Sequence, residues 1–178
     1  MNSINQQQPE ENHKDLSGPE AIEKLKDMAE NAKTCFFCSN IKTGLPVSAR
    51  PMTLQKVDEA GNLLFLSATD SHTDAEIKQD PFVQLFFQGS KYSDYVNVYG
   101  IGSVSQDKAL IKELWEPIFK TWFTEGEDDP RISVISVEPT EVYYWDNKHG
   151  NAVAFVKQLV GAAIGKTLDD SIEGKMEI

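Results

Sequence analysis

Pro46-Val47-Ser48-Ala49-Arg50-Pro51-Met52-Thr53-Leu54 is the stretch whose reading decides the fold. Alternation places Val47, Ala49, Pro51 and Thr53 on one face of a strand, and Ser48, Arg50, Met52 and Leu54 on the other. Arg50 therefore directs a permanent cation toward a largely apolar side. Pro51 cannot donate to a sheet ladder, so the strand meets an edge, a bulge or an opening at that point. A cation at a sheet opening is suited to receive an anion. A snorkelling arginine on a covered edge strand accounts for the same residues equally well.

The period of two extends on both sides of this stretch. It predicts strands near 35–41, 46–56, 62–68, 82–88, 95–106 and 132–144. Gly44-Leu45-Pro46 and Glu59-Ala60-Gly61-Asn62 supply turns between the first three. Short antiparallel strands joined by hairpins point to a barrel or sandwich rather than a doubly wound parallel sheet. Glycines at 100 and 102 inside a long strand mark a bend, a barrel corner or the close approach of a flat ligand.

Helices flank this β region. Ser17-Gly18-Pro19-Glu20 fits a capping box opening a helix over 18–33, whose stripe is Ile22, Leu25, Met28, Ala29 and Ala32. Asp70 or Ser71 caps a short helix that ends before Asp80-Pro81. Its first amides, with the hydroxyls of Ser67, Ser71 and Thr73, form a candidate phosphate cradle, though a plain capped connecting helix fits as well. Asp107 caps a helix carrying Leu110, Ile111, Leu114 and Trp115. A further apolar helix is expected over 152–164, and a last short strand over 175–178. Residues 1–16, rich in Gln, Asn and Glu, read as a disordered tail, and 17–178 as one domain.

Composition narrows the function. The chain has 178 residues, 40% of them hydrophobic, 25% charged, with a net charge of −11 and a pI near 4.7. An acidic surface argues against nucleic acid or an anionic membrane as partner. No run reaches the roughly 18 apolar residues of a membrane span. The first residues hold no apolar leader segment, which reads as a cytoplasmic protein.

Several apparent motifs dissolve on inspection. Cys35-Phe36-Phe37-Cys38 resembles a redox pair, but it falls in a strand, where residues three apart face opposite ways. Two core thiols are the expectation. Gly161-Ala162-Ala163-Ile164-Gly165-Lys166-Thr167 has three residues between its glycines where a phosphate loop needs four, and reads as a helix end capped by Gly165. The acidic run Glu127-Asp128-Asp129 lacks the spacing of a calcium loop and reads as a solvated turn. The three histidines, His13, His72 and His149, form no metal pair, and no nucleophile–base set can be assembled. Catalytic residues are therefore unassigned, and any chemistry belongs to a cofactor.

An ordered set of segments carries a resemblance. It runs through Arg50-Pro51-Met52, Leu64-Phe65-Leu66-Ser67, Ser71-His72 and Asp80-Pro81-Phe82-Val83-Gln84-Leu85-Phe86-Phe87. It continues through Gly100-Ile101-Gly102-Ser103-Val104, Asp107, Leu114-Trp115-Glu116-Pro117, Trp122-Phe123, Gly126, Asp128-Asp129-Pro130 and Tyr144-Trp145-Asp146. Over roughly residues 20–178 the chain resembles the general stress protein branch of the pyridoxamine 5′-phosphate oxidase-like, FMN-binding split-barrel superfamily. The resemblance implies a six-stranded antiparallel split β-barrel with flanking helices, of α+β type, in a homodimer with flavin at the subunit interface. FMN is the implied cofactor, with FAD an alternative. Arg50, Pro51 and Met52 would lie along the flavin, and Leu66, Ser67, Ser71, His72 and Thr73 around its phosphate. Trp115 and Trp122 would line it from the partner subunit.

One position departs from the pattern. Family members commonly carry a lysine two residues after the serine that opens the short helix, where this chain has Thr73 followed by Asp74. A charge-assisted hydrogen bond contributes about 1.5–3 kcal/mol, so its loss weakens phosphate binding about ten- to a hundredfold. Two functions follow from the resemblance: a flavin-dependent oxidoreductase of unidentified substrate, and a non-catalytic, stress-associated dimer that binds flavin or another flat ligand. Pyridoxamine phosphate oxidation needs a second phosphate site with several basic residues. The 17 Lys and Arg form no such cluster beside the proposed pocket.

Overall fold

The computed structural model describes residues 11–44, 46–90, 93–164 and 170–178. Eight strands form one sheet: β1 (Leu16–Ser17), β2 (Thr34–Ser39), β3 (Ser48–Val57), β4 (Leu63–Ala68), β5 (Phe82–Gln88), β6 (Tyr95–Ser105), β7 (Ile132–Asn147) and β8 (Ser171–Glu177). The sheet order is β1-β8-β7-β4-β3-β2-β5-β6, and β6 pairs again with β7. That second pairing closes β7-β4-β3-β2-β5-β6 into a six-stranded antiparallel barrel. Helices α1 (Gly18–Ala32), α2 (His72–Gln79), α3 (Lys108–Leu114) and α4 (Asn151–Ile164) flank it, with 3-10 turns at Pro117–Thr121 and Gly126–Asp128. Among the described residues, no helix is long and apolar enough to cross a membrane.

Strand β7 makes closure possible because it is long enough to serve three neighbours. Its first half pairs with β4, its second half with β8, and nearly all of it with β6. The barrel is split between β3 and β4. Those strands pair only from Leu54 to Val57, with an irregularity between Leu54 and Lys56. Pro51 lies in the part of β3 that pairs with β2 alone, opposite Phe36, so its missing N–H faces no ladder there.

Alternation sorts the side chains as the sequence predicts. Phe37, Leu54, Phe65, Val83, Leu85, Val98, Ile135 and Val137 fill the interior, with Met52 packed against them. Helix α1 covers this core with Ala21, Leu25, Met28 and Ala29. A second, smaller core lies on the other face of β4. There Leu64, Ile132 and Val134 meet Ile111, Leu114 and Phe123 from α3 and the 3-10 turns.

The structure differs from the sequence reading at several points. Residues 11–16 were assigned to the tail, yet they run beside β8. Leu16 and Ser17 pair in parallel with Met176 and Glu177, and the Lys14 amide donates to the Glu173 carbonyl at 2.9 Å. Residues 1–10 of that tail lie outside the described residues, as do Gly165, Lys166 and Thr167. Ser17 makes no side-chain cap, and Glu20 takes the Lys14 ammonium at 2.6 Å rather than closing a capping box. The acidic turn is not fully solvated: Asp129 is buried and grips the Arg131 backbone amide and guanidinium at 2.9–3.2 Å. Among the described residues no group of His, Cys, Asp and Glu is placed to hold a metal.

Glycines 100 and 102 are explained by the chain itself. β6 shifts register against β7 at Tyr99/Gly100, and a Cβ on Gly100 would stand 2.5 Å from the Glu138 carbonyl oxygen. The Gly102 amide donates to Pro81 O at 2.7 Å, and a Cβ there would press on Ile77 of α2 at 3.3 Å. A tighter case is Gly174 in β8, where a Cβ would fall 1.9 Å from Lys14 O, the same carbonyl that accepts the buried Tyr144 hydroxyl at 2.8 Å. Gly174→Ala must push the N-terminal segment off β8. The expected loss is about 1–3 kcal/mol in urea unfolding, with new protease cleavage before α1.

The turn from β7 into α4 is held by one carboxylate. Asp170, fully buried, accepts the His149 amide at 2.9 Å and the Lys157 ammonium at 2.7 Å, and its Oδ1 stands 2.7 Å from His149 Nδ1. Burial pushes this carboxyl up, but the bonds from Lys157 and His149 more than reverse it and hold it at about 2. A carboxylate depressed in the folded state contributes stability above its ordinary value near 3.8 and loses it as pH falls through about 2. The difference in melting temperature between the wild type and Asp170→Asn is therefore expected to be largest at neutral pH. It should shrink as pH falls from about 4 toward 2.

Candidate functional site

The opening in the barrel is where Arg50 stands. In register on β2, Phe37 lies opposite it, and both share the inward face with Met52 and Leu54. Phe37 is fully buried and meets Phe65 edge-on, with ring centroids 5.5 Å apart. The apolar interior closes off one side of Arg50, so its guanidinium is left to reach outward across the split to α2. Nη1 donates to Thr73 Oγ1 at 2.5 Å and Nη2 to Glu76 Oε2 at 2.6 Å. The Arg50 side chain keeps a quarter of its surface exposed, so it is neither core nor free in solvent.

Helix α2 is set by its own first residues. Ser71, extended, accepts the Asp74 amide on its hydroxyl at 3.1 Å and caps the helix. Ser67, at the end of β4, places its hydroxyl 3.0 Å from that of Ser71. The amides of the first helical turn have no intrahelical acceptor and carry the positive end of the helix dipole. Arg50 of β3 thus meets Ser67, Ser71 and Thr73, which lie within seven residues of one another, at one corner of the split.

Two acidic residues share that corner. Glu76 accepts the Ser39 hydroxyl at 2.6 Å as well as Arg50. Burial pushes its carboxyl up, and the bonds from Ser39 and Arg50, with the charge of Arg50, outweigh this and hold it below the usual carboxylate range. Asp74 is completely buried. Its Oδ1 accepts from Ser71 at 3.2 Å, while its Oδ2 has no hydrogen-bond partner. The sequence reading noted Asp74 as a neighbouring charge and missed Glu76 and Ser39. The available signal was spacing: Glu76 lies three residues after Thr73, on the same face of α2.

The other predicted residues lie elsewhere. Pro51 points to the outer face and is exposed. His72 is exposed at the first position of α2. Leu66 packs against the smaller core, on the opposite face of β4 from the interior-facing Phe65. Trp115 packs on Phe119 and Phe123 of its own chain, with centroids 5.8 and 6.4 Å away, and stays partly exposed. Trp122 is 62% exposed. The cysteines are buried and free. Burial pushes Cys35 up to about 12 and pushes Cys38 up against the opposing pull of Arg50, so neither is a reactive thiolate.

The corner fits an anionic or hydroxylated ligand end in part. A guanidinium, two serine hydroxyls and helix-start amides are donors suited to phosphate. The partly exposed Glu76 carboxylate is an acceptor suited to hydroxyl groups.

Comparison with known proteins agrees with this architecture. Protein bli-3 of Neurospora crassa is 29% identical over 126 residues, covering 66% of this chain and 60% of that protein's length. The solved structure from Jannaschia sp. CCS1 that bears the general stress protein 26 name superimposes with a TM-score of 0.74 at 17% identity, over 88% of this chain and 97% of that one. The general stress FMN/FAD binding protein of Xanthomonas citri gives a TM-score of 0.56 at 22% identity, over 68% and 84% of the two chains. At these identities the two structures show a shared fold. The family model described as pyridoxamine 5′-phosphate oxidase like matches residues 20–169, most of the chain, and the protein belongs to that family.

Proposed function

We propose that this protein is a flavin-binding member of the family, taking FMN or FAD, with the Arg50 corner as the end of the cleft that meets the ribityl phosphate. The observation that carries the reading is the convergence of Arg50, Ser67, Ser71 and Thr73 across the barrel split. The FMN/FAD binding named for the Xanthomonas citri relative supports it. When bound, the isoalloxazine would supply redox chemistry. Arg50, with the Ser67 and Ser71 hydroxyls, would hold the phosphate. Met52, packed on the core beside Arg50, would shape the cleft floor. The test is a fluorescence titration of the purified protein with FMN and FAD. Micromolar or tighter binding is expected for at least one of them, and no binding up to millimolar concentration rejects the reading.

The second reading, binding without turnover, draws on the sequence, from which no nucleophile–base set is assembled, and on the Thr73 position. Bound flavin that neither NADH nor NADPH reduces would select it; reduction followed by reoxidation would select an oxidoreductase.

The homodimer is part of the proposal. Phe36 and Phe86 lie opposite each other on the outer face of the barrel, both exposed, with Pro51 next in the row. On α4, Val153, Phe155, Val156, Leu159 and Val160 are exposed as well. Apolar area of this extent calls for cover, and an acidic chain makes a second copy a better occupant than an anionic lipid surface. Light scattering at micromolar concentration should give twice the chain mass; a monomer contradicts the dimer.

A further inference from the structure

We propose that the carboxylates of Glu76 and Asp74 set the selectivity of this corner between phosphorylated and unphosphorylated flavin, Glu76 by holding the guanidinium that a phosphate would need. The inference rests on the flavin reading above and goes beyond it. Arg50 spends Nη1 on Thr73 and Nη2 on Glu76 Oε2, and the Ser39 hydroxyl donates to that same oxygen. An arriving phosphate must share or displace a carboxylate that already makes two short hydrogen bonds. Asp74, the third residue of the same short helix, adds a second negative group with no exposed surface, bonded to Ser71. This corner therefore holds two carboxylates, one of them paired with its guanidinium. A phosphate dianion meets repulsion from both. A ribityl hydroxyl, being neutral, meets none, and it can donate to the partly exposed Glu76 carboxylate. Phosphate thus adds little to flavin affinity while both carboxylates are in place.

The test compares FMN with riboflavin on the wild type and on Glu76→Gln. Glutamine keeps the shape and an acceptor for Ser39 and removes the charge. Freeing one charge-assisted donor pair for phosphate should tighten FMN about tenfold or more and change riboflavin less than about threefold. Inorganic phosphate provides an arm independent of the flavin: it should raise the melting temperature of Glu76→Gln and not that of the wild type. Should Glu76→Gln fail to fold, Asp74→Asn is expected to shift the FMN-to-riboflavin ratio in the same direction. An unchanged ratio, an equal gain for both flavins, or equal protection of both proteins by phosphate overturns the proposal. If neither protein binds any flavin, the flavin reading fails. The phosphate arm then decides this proposal alone: protection confined to Glu76→Gln supports it, and its absence overturns it.

Discussion

Phe37→Ala is expected to lower the unfolding free energy by about 3–5 kcal/mol, the largest effect of any single core truncation on this account. Phe37 has no exposed surface and sits on β2, the strand between β3 and β5. Its register partners are Arg50 on one side and Leu85 on the other, and its ring meets Phe65 across the interior. The barrel is closed by hydrogen bonds on every side except the β3–β4 split, so the strands around Phe37 cannot collapse inward to fill the void. The same truncation removes the wall behind Arg50, so flavin affinity should fall along with stability. Urea unfolding followed by tryptophan fluorescence reads the first effect. A loss under about 1 kcal/mol would mean that the interior repacks around this position.

Arg50→Ala is expected to weaken FMN binding about a hundredfold or more, beyond detection if the starting affinity is micromolar. The side chain is the cation at the mouth of the split, and its removal leaves Glu76 and Asp74 as the charges of that corner. The variant should also lose about 1–2 kcal/mol of stability, because half-buried Glu76 loses its one cation and keeps only neutral hydroxyl donors, Ser39 and Ser48. Glu76 is depressed in the folded protein by its partners, so its contribution is present at neutral pH and fades as pH falls through its folded value. The stability gap between the wild type and Arg50→Ala should therefore narrow on acidification. Arg50→Lys keeps the charge and loses the two-pronged grip, so its affinity should fall between the two. Unchanged FMN affinity in Arg50→Ala would separate the flavin site from this corner.

Most of the barrel was legible in the sequence because its strands alternate cleanly. The β5 run Phe82–Gln88 was placed to the residue, and the period of β3 put Arg50 on the inward face and Pro51 on the outer one. What stayed hidden depends on contacts distant in sequence. Residues 11–16 offer one apolar side chain, Leu16, and they are kept in place by parallel pairing with β8, opened by a glycine at 174, and by the Tyr144 hydroxyl on Lys14 O. The capping pattern at Ser17 misled because Glu20 takes the Lys14 ammonium rather than closing the box. Asp129 read as a solvated acid because its partner Arg131 looks like an ordinary surface cation.

The site divides along the same line. Alternation on β3 and the cap pattern of α2 pointed to Arg50, Ser67, Ser71 and Thr73 without saying that they would meet. Glu76 shares a face of α2 with Thr73 by its spacing, but nothing local marks it as part of the site, and its role arises only when β3 approaches. Trp115 entered through the resemblance alone; in the structure α3 and the following turn pack it against the smaller core of its own chain.

A crystal structure of the protein grown with FMN tests the central claim most directly. The account predicts the flavin in the split between β3 and β4, its phosphate within hydrogen-bond distance of Arg50 and of the Ser71 end of α2, and a second subunit closing over the ring. Flavin bound away from Arg50, or a cleft that stays empty at millimolar FMN, would contradict it.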